Sequence, residues 1–166
     1  MKLAVVIPVY NSASTIPRLV KNLLDELNDI LHEVVLVNDG SHDNSEEVCT
    51  LLAETNEVVT FISLRKNFGE HNAIICGLNY NNSDYVAIID DDFQNKPSDI
   101  RKLLKIATEY DVVYSAYHKK KHNWLRNLGS KFNDIVATQL LGKPKNLYLS
   151  SFKVIKKEIV DEIIKY

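Results

Sequence analysis

Five short runs rich in valine and isoleucine punctuate the chain: "LAVVIPV" from Leu3, "EVVLVND" from Glu33, "VVTFISL" from Val58, "YVAIIDD" from Tyr85 and "DVVYSA" from Asp111. Each is too short and too β-branched for an independent helix, so each is predicted as a strand. The stretches between them repeat apolar residues at helical spacing. In the first, Ile16, Leu19, Val20, Leu23, Leu24 and Leu27 share a face, Asn11, Ser12 and Ser14 offer caps, and Pro17 is acceptable only near the first turn. Similar patterns follow around residues 45–55, 70–80 and 98–109. Strands alternating with helices predict an α/β fold with right-handed crossovers, a mostly parallel sheet and helices on both faces. The 166 residues suffice for a single domain spanning 1–166 with a real core.

Polar residues gather where these strands end. Pro8, Tyr10 and Asn11 follow the first, Asn38 and Asp39 the second, Arg65 and Asn67 the third, and the triplet Asp90, Asp91 and Asp92 the fourth. Open α/β sheets bind ligands beyond the carboxyl ends of their strands, so these residues are expected to face one crevice. Two unit charges about 4 Å apart repel by roughly 4 kcal/mol at an effective dielectric near 20. The triplet therefore requires either a solvated turn, which Asn95 and Pro97 favour, or a divalent cation. If the strand continued through the triplet, Asp90 and Asp92 would share a face and Asp91 would point away.

The five glycines make neither a G-x-G-x-x-G nor a G-x-x-x-x-G-K-[ST] pattern, which argues against dinucleotide dehydrogenases and P-loop NTPases. A formal net charge of −2 gives no excess for nucleic-acid binding. Cys49 and Cys76 lack metal or redox spacing and are expected as buried thiols in a reducing compartment. No apolar run approaches the roughly 18 residues of a membrane span. The last segment, "FKVIKKEIVDEIIKY", reads as a helix still in progress at Tyr166, so the domain is expected to be cut before a C-terminal segment.

In order and spacing, "VVIPVYNSASTI", "VVLVNDGSHDNS", "LRKNFGEHNAIICGL" and "VAIIDDDFQNKP" resemble the family 2 inverting glycosyltransferases of the GT-A fold. With "YHKKKHNWLRNLGSKFND" and "LYLSSFKVIKKEIVDEI", the chain looks most like the members that load a sugar onto a polyprenyl phosphate, the group of dolichyl-phosphate mannose synthase and undecaprenyl-phosphate formyl-aminoarabinose transferase. The resemblance implies a nucleotide-sugar donor, UDP-sugar being favoured, bound by Pro8, Tyr10, Asn11, Asp39, Arg65, Asp90 and Asp91. It implies Mg2+ or Mn2+ held by Asp90, Asp92 and Gln94, with Asp92 and Arg126 serving catalysis. Asn38 stands where many relatives have a second Asp.

Between His118 and Lys131 lie Lys119, Lys120, Lys121, Arg126 and Lys131 without one acid, interleaved with Trp124, Leu125 and Leu128. Such a run is either a solvated helix face or a site for a lipid phosphate at a membrane surface. Under the resemblance, Lys119, Lys121, Arg126, Lys131 and Ser151 bind the acceptor. Many relatives have an Asp as general base where Ser151 stands. A phosphate acceptor, with a second pKa of about 6, needs no base to ionise it near neutral pH, so the serine favours polyprenyl phosphate. The expected setting is cytoplasmic, at the inner membrane face or anchored by a missing segment, in cell-envelope polysaccharide synthesis, with homo-oligomers left open. A transferase acting on a sugar hydroxyl and a non-catalytic nucleotide-sugar-binding domain are the alternatives. A haloacid-dehalogenase-like phosphatase fits poorly, because its D-x-D belongs after the first strand, which here ends "PVYN".

Overall fold

The computed structural model describes residues 1–115 and 150–165. Their elements run β1 (Leu3–Val9), α1 (Ile16–Leu27), β2 (Leu31–Asn38), α2 (Ser45–Thr55), β3 (Val59–Ser63) and α3 (Glu70–Asn79). β4 (Tyr85–Ile88), α4 (Pro97–Ala107), β5 (Val112–Tyr114), β6 (Lys153–Lys156) and α5 (Lys157–Ile163) follow. Met1–Tyr114 and Ser151–Tyr166 make one compact unit.

Six strands form one sheet in the order β3-β2-β1-β4-β6-β5. β3, β2, β1 and β4 pair in parallel, while β6 is antiparallel to both β4 and β5. Among the described residues, every strand except β6 therefore points the same way, as the mostly parallel expectation requires. β1 alternates its side chains between two buried layers, which is why it reads as a continuous apolar run. Leu3, Val5, Ile7 and Val9 join the layer of α1, α2 and α4, and Val6 joins the layer of α3 and α5. Helices thus cover both faces. Gly77 lets α3 press onto β1, since a Cβ there would lie 2.5 Å from a methyl of Val6.

Two expectations need correction. The last segment is not helical throughout, because Lys153–Lys156 form β6 and only Lys157–Ile163 are helical. β6 fills an antiparallel slot between β4 and β5, and its Val154 and Ile155 bury into opposite layers. Local periodicity carries no trace of that long-range pairing. At α1 the offered caps are also unused: Thr15 holds the N-cap position without a side-chain cap bond, although Pro17 does sit in the first turn.

Cys49 is buried and Cys76 half-buried, and both are free thiols. Burial pushes both thiols up, Cys49 to about 12 with Asp43 and Asp91 adding to the effect. Among the described residues, no helix is long and apolar enough to cross a membrane.

Candidate active site

β1 leads to β2 and β3 on one side, and β4 lies on its other side. That reversal of strand order makes the crevice between the ends of β1 and β4 the natural ligand site. A cavity of about 350 Å³ opens there. Pro8 and Tyr10 from the end of β1, Asp39 from the end of β2, and Asp90, Asp91 and Asp92 beyond β4 all line it. Asn67, Gly69 and Glu70 close the side nearest α3. The convergence expected from the strand ends is present for these residues. Asn11 sits beside Tyr10 with φ 54°, a conformation asparagine tolerates better than most residues.

β4 stops at Ile88, so the triplet lies in a turn and its three carboxylates find three different partners. Asp90 accepts the hydroxyl of Ser151, the residue preceding Phe152 and β6. Asp91 faces the β1–α1 loop, accepting the Tyr10 backbone N–H at 3.3 Å and the Ser12 hydroxyl. Burial raises the Asp91 carboxyl above its ordinary value, opposed by these two hydrogen bonds. Asp92 is exposed, and its Oδ1 accepts the Gln94 N–H at 3.0 Å. Like charges are thus kept apart by pointing them at separate donors.

Asp39 is almost fully buried, 3% exposed, and each of its oxygens accepts a backbone N–H. Phe68 donates to Oδ1 at 2.7 Å and Gly69 to Oδ2 at 2.9 Å. The carboxylate therefore pins the β3–α3 loop that walls the cavity. Gly40 fits beneath the same loop with φ 64°, where a Cβ would lie 2.5 Å from the Asn67 nitrogen. The local turn after β2 is made by Asn38, whose Oδ1 accepts the Ser41 N–H at 3.2 Å.

The loops after β1 and β2 are also joined. Asn11 donates its N–H to the Ser41 hydroxyl at 3.0 Å and accepts the His42 N–H at 2.7 Å. Ser12 donates its N–H to the Ser45 hydroxyl at 2.8 Å, which in turn donates to Asp43 at 2.5 Å. The Ser45 hydroxyl holds the Asp43 carboxyl below the usual carboxylate range.

Some expected residues fall elsewhere. Arg65 and Gln94 are exposed and do not line the cavity. Lys119, Lys121, Arg126 and Lys131 lie outside the described residues, so only Ser151 of the acceptor set has a position here. Lys153 is half-buried on β6. Burial lowers its ammonium, while Glu70 and Asp90 favour its charge.

The cavity's hard oxygen donors suit magnesium or manganese. Among the described residues, no three His, Cys, Asp or Glu side chains form a metal-holding group. Mg2+ sites with nucleotide substrates commonly use one or two carboxylates plus phosphate oxygens and water, and Asp90 and Asp92 can supply that number.

The family described as Glycosyl transferase family 2 matches residues 4–164. Among curated proteins, the undecaprenyl-phosphate 4-deoxy-4-formamido-L-arabinose transferase of Serratia proteamaculans is 32% identical over 167 residues, covering 98% of this chain and 51% of that protein. The protein of the same description from Proteus mirabilis is 33% identical over 168 residues, with the same coverage. The chain spans about half the length of these relatives. Among solved structures, glucosyl-3-phosphoglycerate synthase from Mycobacterium tuberculosis, in complex with Mn2+, UDP and phosphoglyceric acid, superposes with a TM-score of 0.74 at 18% identity. The match covers 95% of this chain and 56% of that one. A mannosyltransferase from Pyrobaculum calidifontis, in complex with GDP-mannose and Mn2+, gives 0.69 at 18% identity over 98% of this chain and 46% of that one. These likenesses establish the GT-A fold.

Proposed function

Because the chain belongs to glycosyl transferase family 2, we propose that it is the donor-binding catalytic part of an inverting glycosyltransferase. It moves a sugar from a nucleotide diphosphate sugar, UDP-sugar being favoured, to polyprenyl phosphate. The observation that carries this reading is the cavity at the ends of β1, β2 and β4, lined by both Asp39 and the acidic triplet. Solved neighbours hold UDP or GDP-mannose together with Mn2+, and the curated relatives are described as undecaprenyl-phosphate transferases.

In this reading Pro8 and Tyr10 flank the nucleoside. Asp39, while holding the β3–α3 loop, keeps lone pairs for a base N–H. Asp90 and Asp92, joined by Gln94, would hold the divalent cation, Mg2+ or Mn2+. A cation held there would supply Lewis-acid charge neutralisation for the departing nucleotide. Asp91 keeps the β1–α1 loop in place and lines the donor cavity.

Ser151 supplies no carboxylate, and its hydroxyl is committed to Asp90. An acceptor that arrives already ionised fits that arrangement, because its phosphate oxygen attacks the anomeric carbon without losing a proton. Attack opposite the leaving nucleotide inverts the anomeric centre. Arg126, Lys119, Lys121 and Lys131 would bind the lipid phosphate near a membrane surface.

The test supplies the protein with Mn2+, radiolabelled UDP-sugars and two acceptors, undecaprenyl phosphate and a soluble glycoside. Label entering an acid-labile lipid phosphosugar of inverted configuration is expected. Transfer only to the glycoside hydroxyl contradicts the acceptor assignment.

A further inference from the structure

Phe93, which follows the triplet, adopts a left-handed backbone conformation with φ 58°. A bulky residue rarely occupies that region and persists there only when its surroundings hold it. Two contacts do so. The ring is half-buried against the core layer of α1, α2 and α4, and its face carries the Arg18 guanidinium of α1, 5.0 Å from the centroid. Phe93 is also the middle residue of the turn in which Asp92 accepts the Gln94 N–H at 3.0 Å. Neither Phe93 nor Arg18 lines the cavity, so neither has a direct part in the proposed donor site.

We propose that Arg18 and Phe93 position Asp92: the guanidinium on the ring holds the left-handed turn, and the turn fixes the Asp92 carboxylate at the cavity wall. This rests on the reading above, in which Asp92 is a ligand to the cation on the diphosphate. A contact that merely packs would appear, when removed, as lost global stability. A positioning contact behaves differently, because its loss lets the turn relax out of a disfavoured conformation. Relief of strain then offsets the lost contact, and the deficit appears in ligand affinity instead.

The variants Arg18→Gln, Arg18→Lys, Phe93→Leu and the Gln–Leu double variant are compared with wild type by thermal unfolding and by calorimetric titration with UDP and GDP in the presence of Mn2+. Arg18 is exposed, so its replacement leaves the fold intact. For Arg18→Gln the nucleotide affinity should fall about fivefold, the weight of a cation–π contact at an exposed site, with the unfolding midpoint within about 2 °C of wild type. Arg18→Lys should recover affinity to within about twofold, and the double variant should bind no worse than the weaker single one.

A lowered midpoint with unchanged affinity in Arg18→Gln would show packing alone and overturn the proposal. Weakened binding in Arg18→Gln with none in Phe93→Leu would also overturn it, by showing that Arg18 acts on the nucleotide without the ring. Absence of binding by wild type is a separate result, visible without any variant, and removes the donor-site reading together with this inference.

Discussion

The hydroxyl of Ser151, just ahead of β6, donates to the carboxylate of Asp90, just beyond β4. The bond ties the antiparallel strand of the sheet to the acidic turn. Replacing Ser151 with Ala removes a hydrogen bond to a charged group, and about 1–2 kcal/mol of stability should be lost in urea unfolding. If lipid phosphate is the acceptor, Ser151→Ala should retain transfer activity, since no proton has to be removed by residue 151.

Asp39 should matter to the fold as well as to the ligand. Asp39→Asn places an amide N–H2 against one of two backbone N–H donors, those of Phe68 and Gly69. An unmatched buried donor costs about 1–3 kcal/mol. Hydrogen exchange should quicken at the Phe68 and Gly69 amides even without nucleotide, and unchanged exchange would contradict the clamp.

Gly40 and Gly69 both have positive φ, 64° and 93°, yet they differ in surroundings. A Cβ at Gly40 would strike the Lys66–Asn67 backbone at 2.5 Å, whereas nothing lies within 4 Å of one at Gly69. Gly69, at φ 93° and ψ 148°, lies in a region held essentially by glycine alone, so Gly69→Ala should cost about 1–3 kcal/mol from backbone conformation alone, and Gly40→Ala should add the clash with the loop backbone to its own conformational cost. Denaturant midpoints of the two variants give the comparison.

The pH dependence of Lys153 has a definite sign. Burial holds its ammonium below the ordinary value of 10.5, despite the opposing pull of Glu70 and Asp90. The unfolded chain therefore binds this proton more tightly, and the residue's contribution to stability improves as pH rises through the lowered folded value toward 10.5. The stability of wild type relative to Lys153→Gln should increase across that alkaline window. A constant difference would place the ammonium in water.

Cys49 should be silent to alkylation in the native state. With its thiol pushed up to about 12, only about one molecule in ten thousand carries the thiolate at pH 8, and the sulfur is buried besides. Iodoacetamide should modify Cys49 only as fast as the chain unfolds.

Much of this architecture was legible in the chain. β1, β2 and β4 carry runs buried on both faces, so their Val and Ile residues announce strands, and Ile16, Leu19, Val20, Leu23 and Leu27 on α1 bury the face that their spacing marks. The crevice followed from the same alternation, because parallel strands bring their carboxyl ends to one edge. β6 was hidden because "KVIK" precedes a helical run without a break, and only the slot beside β4 makes it a strand. The partners of the acidic residues were hidden as well. Ser12 with Asp91, Ser151 with Asp90 and Phe68 with Asp39 are joined across 79, 61 and 29 residues, and no local pattern encodes such pairs. Ser12 looked like a helix cap for the same reason: its hydroxyl had a distant carboxylate to choose instead.

The proposed nucleotide site works through a cation at the acidic turn. Its test is calorimetric titration of the protein with UDP and with GDP, each with Mn2+ and with chelator, beside Asp92→Asn. Mn2+-dependent binding of one nucleotide is expected, UDP being favoured, with loss of that binding in Asp92→Asn. A folded protein that binds neither nucleotide, or binds equally well in chelator and in the variant, would contradict it and leave Asp90, Asp91 and Asp92 as a solvated turn.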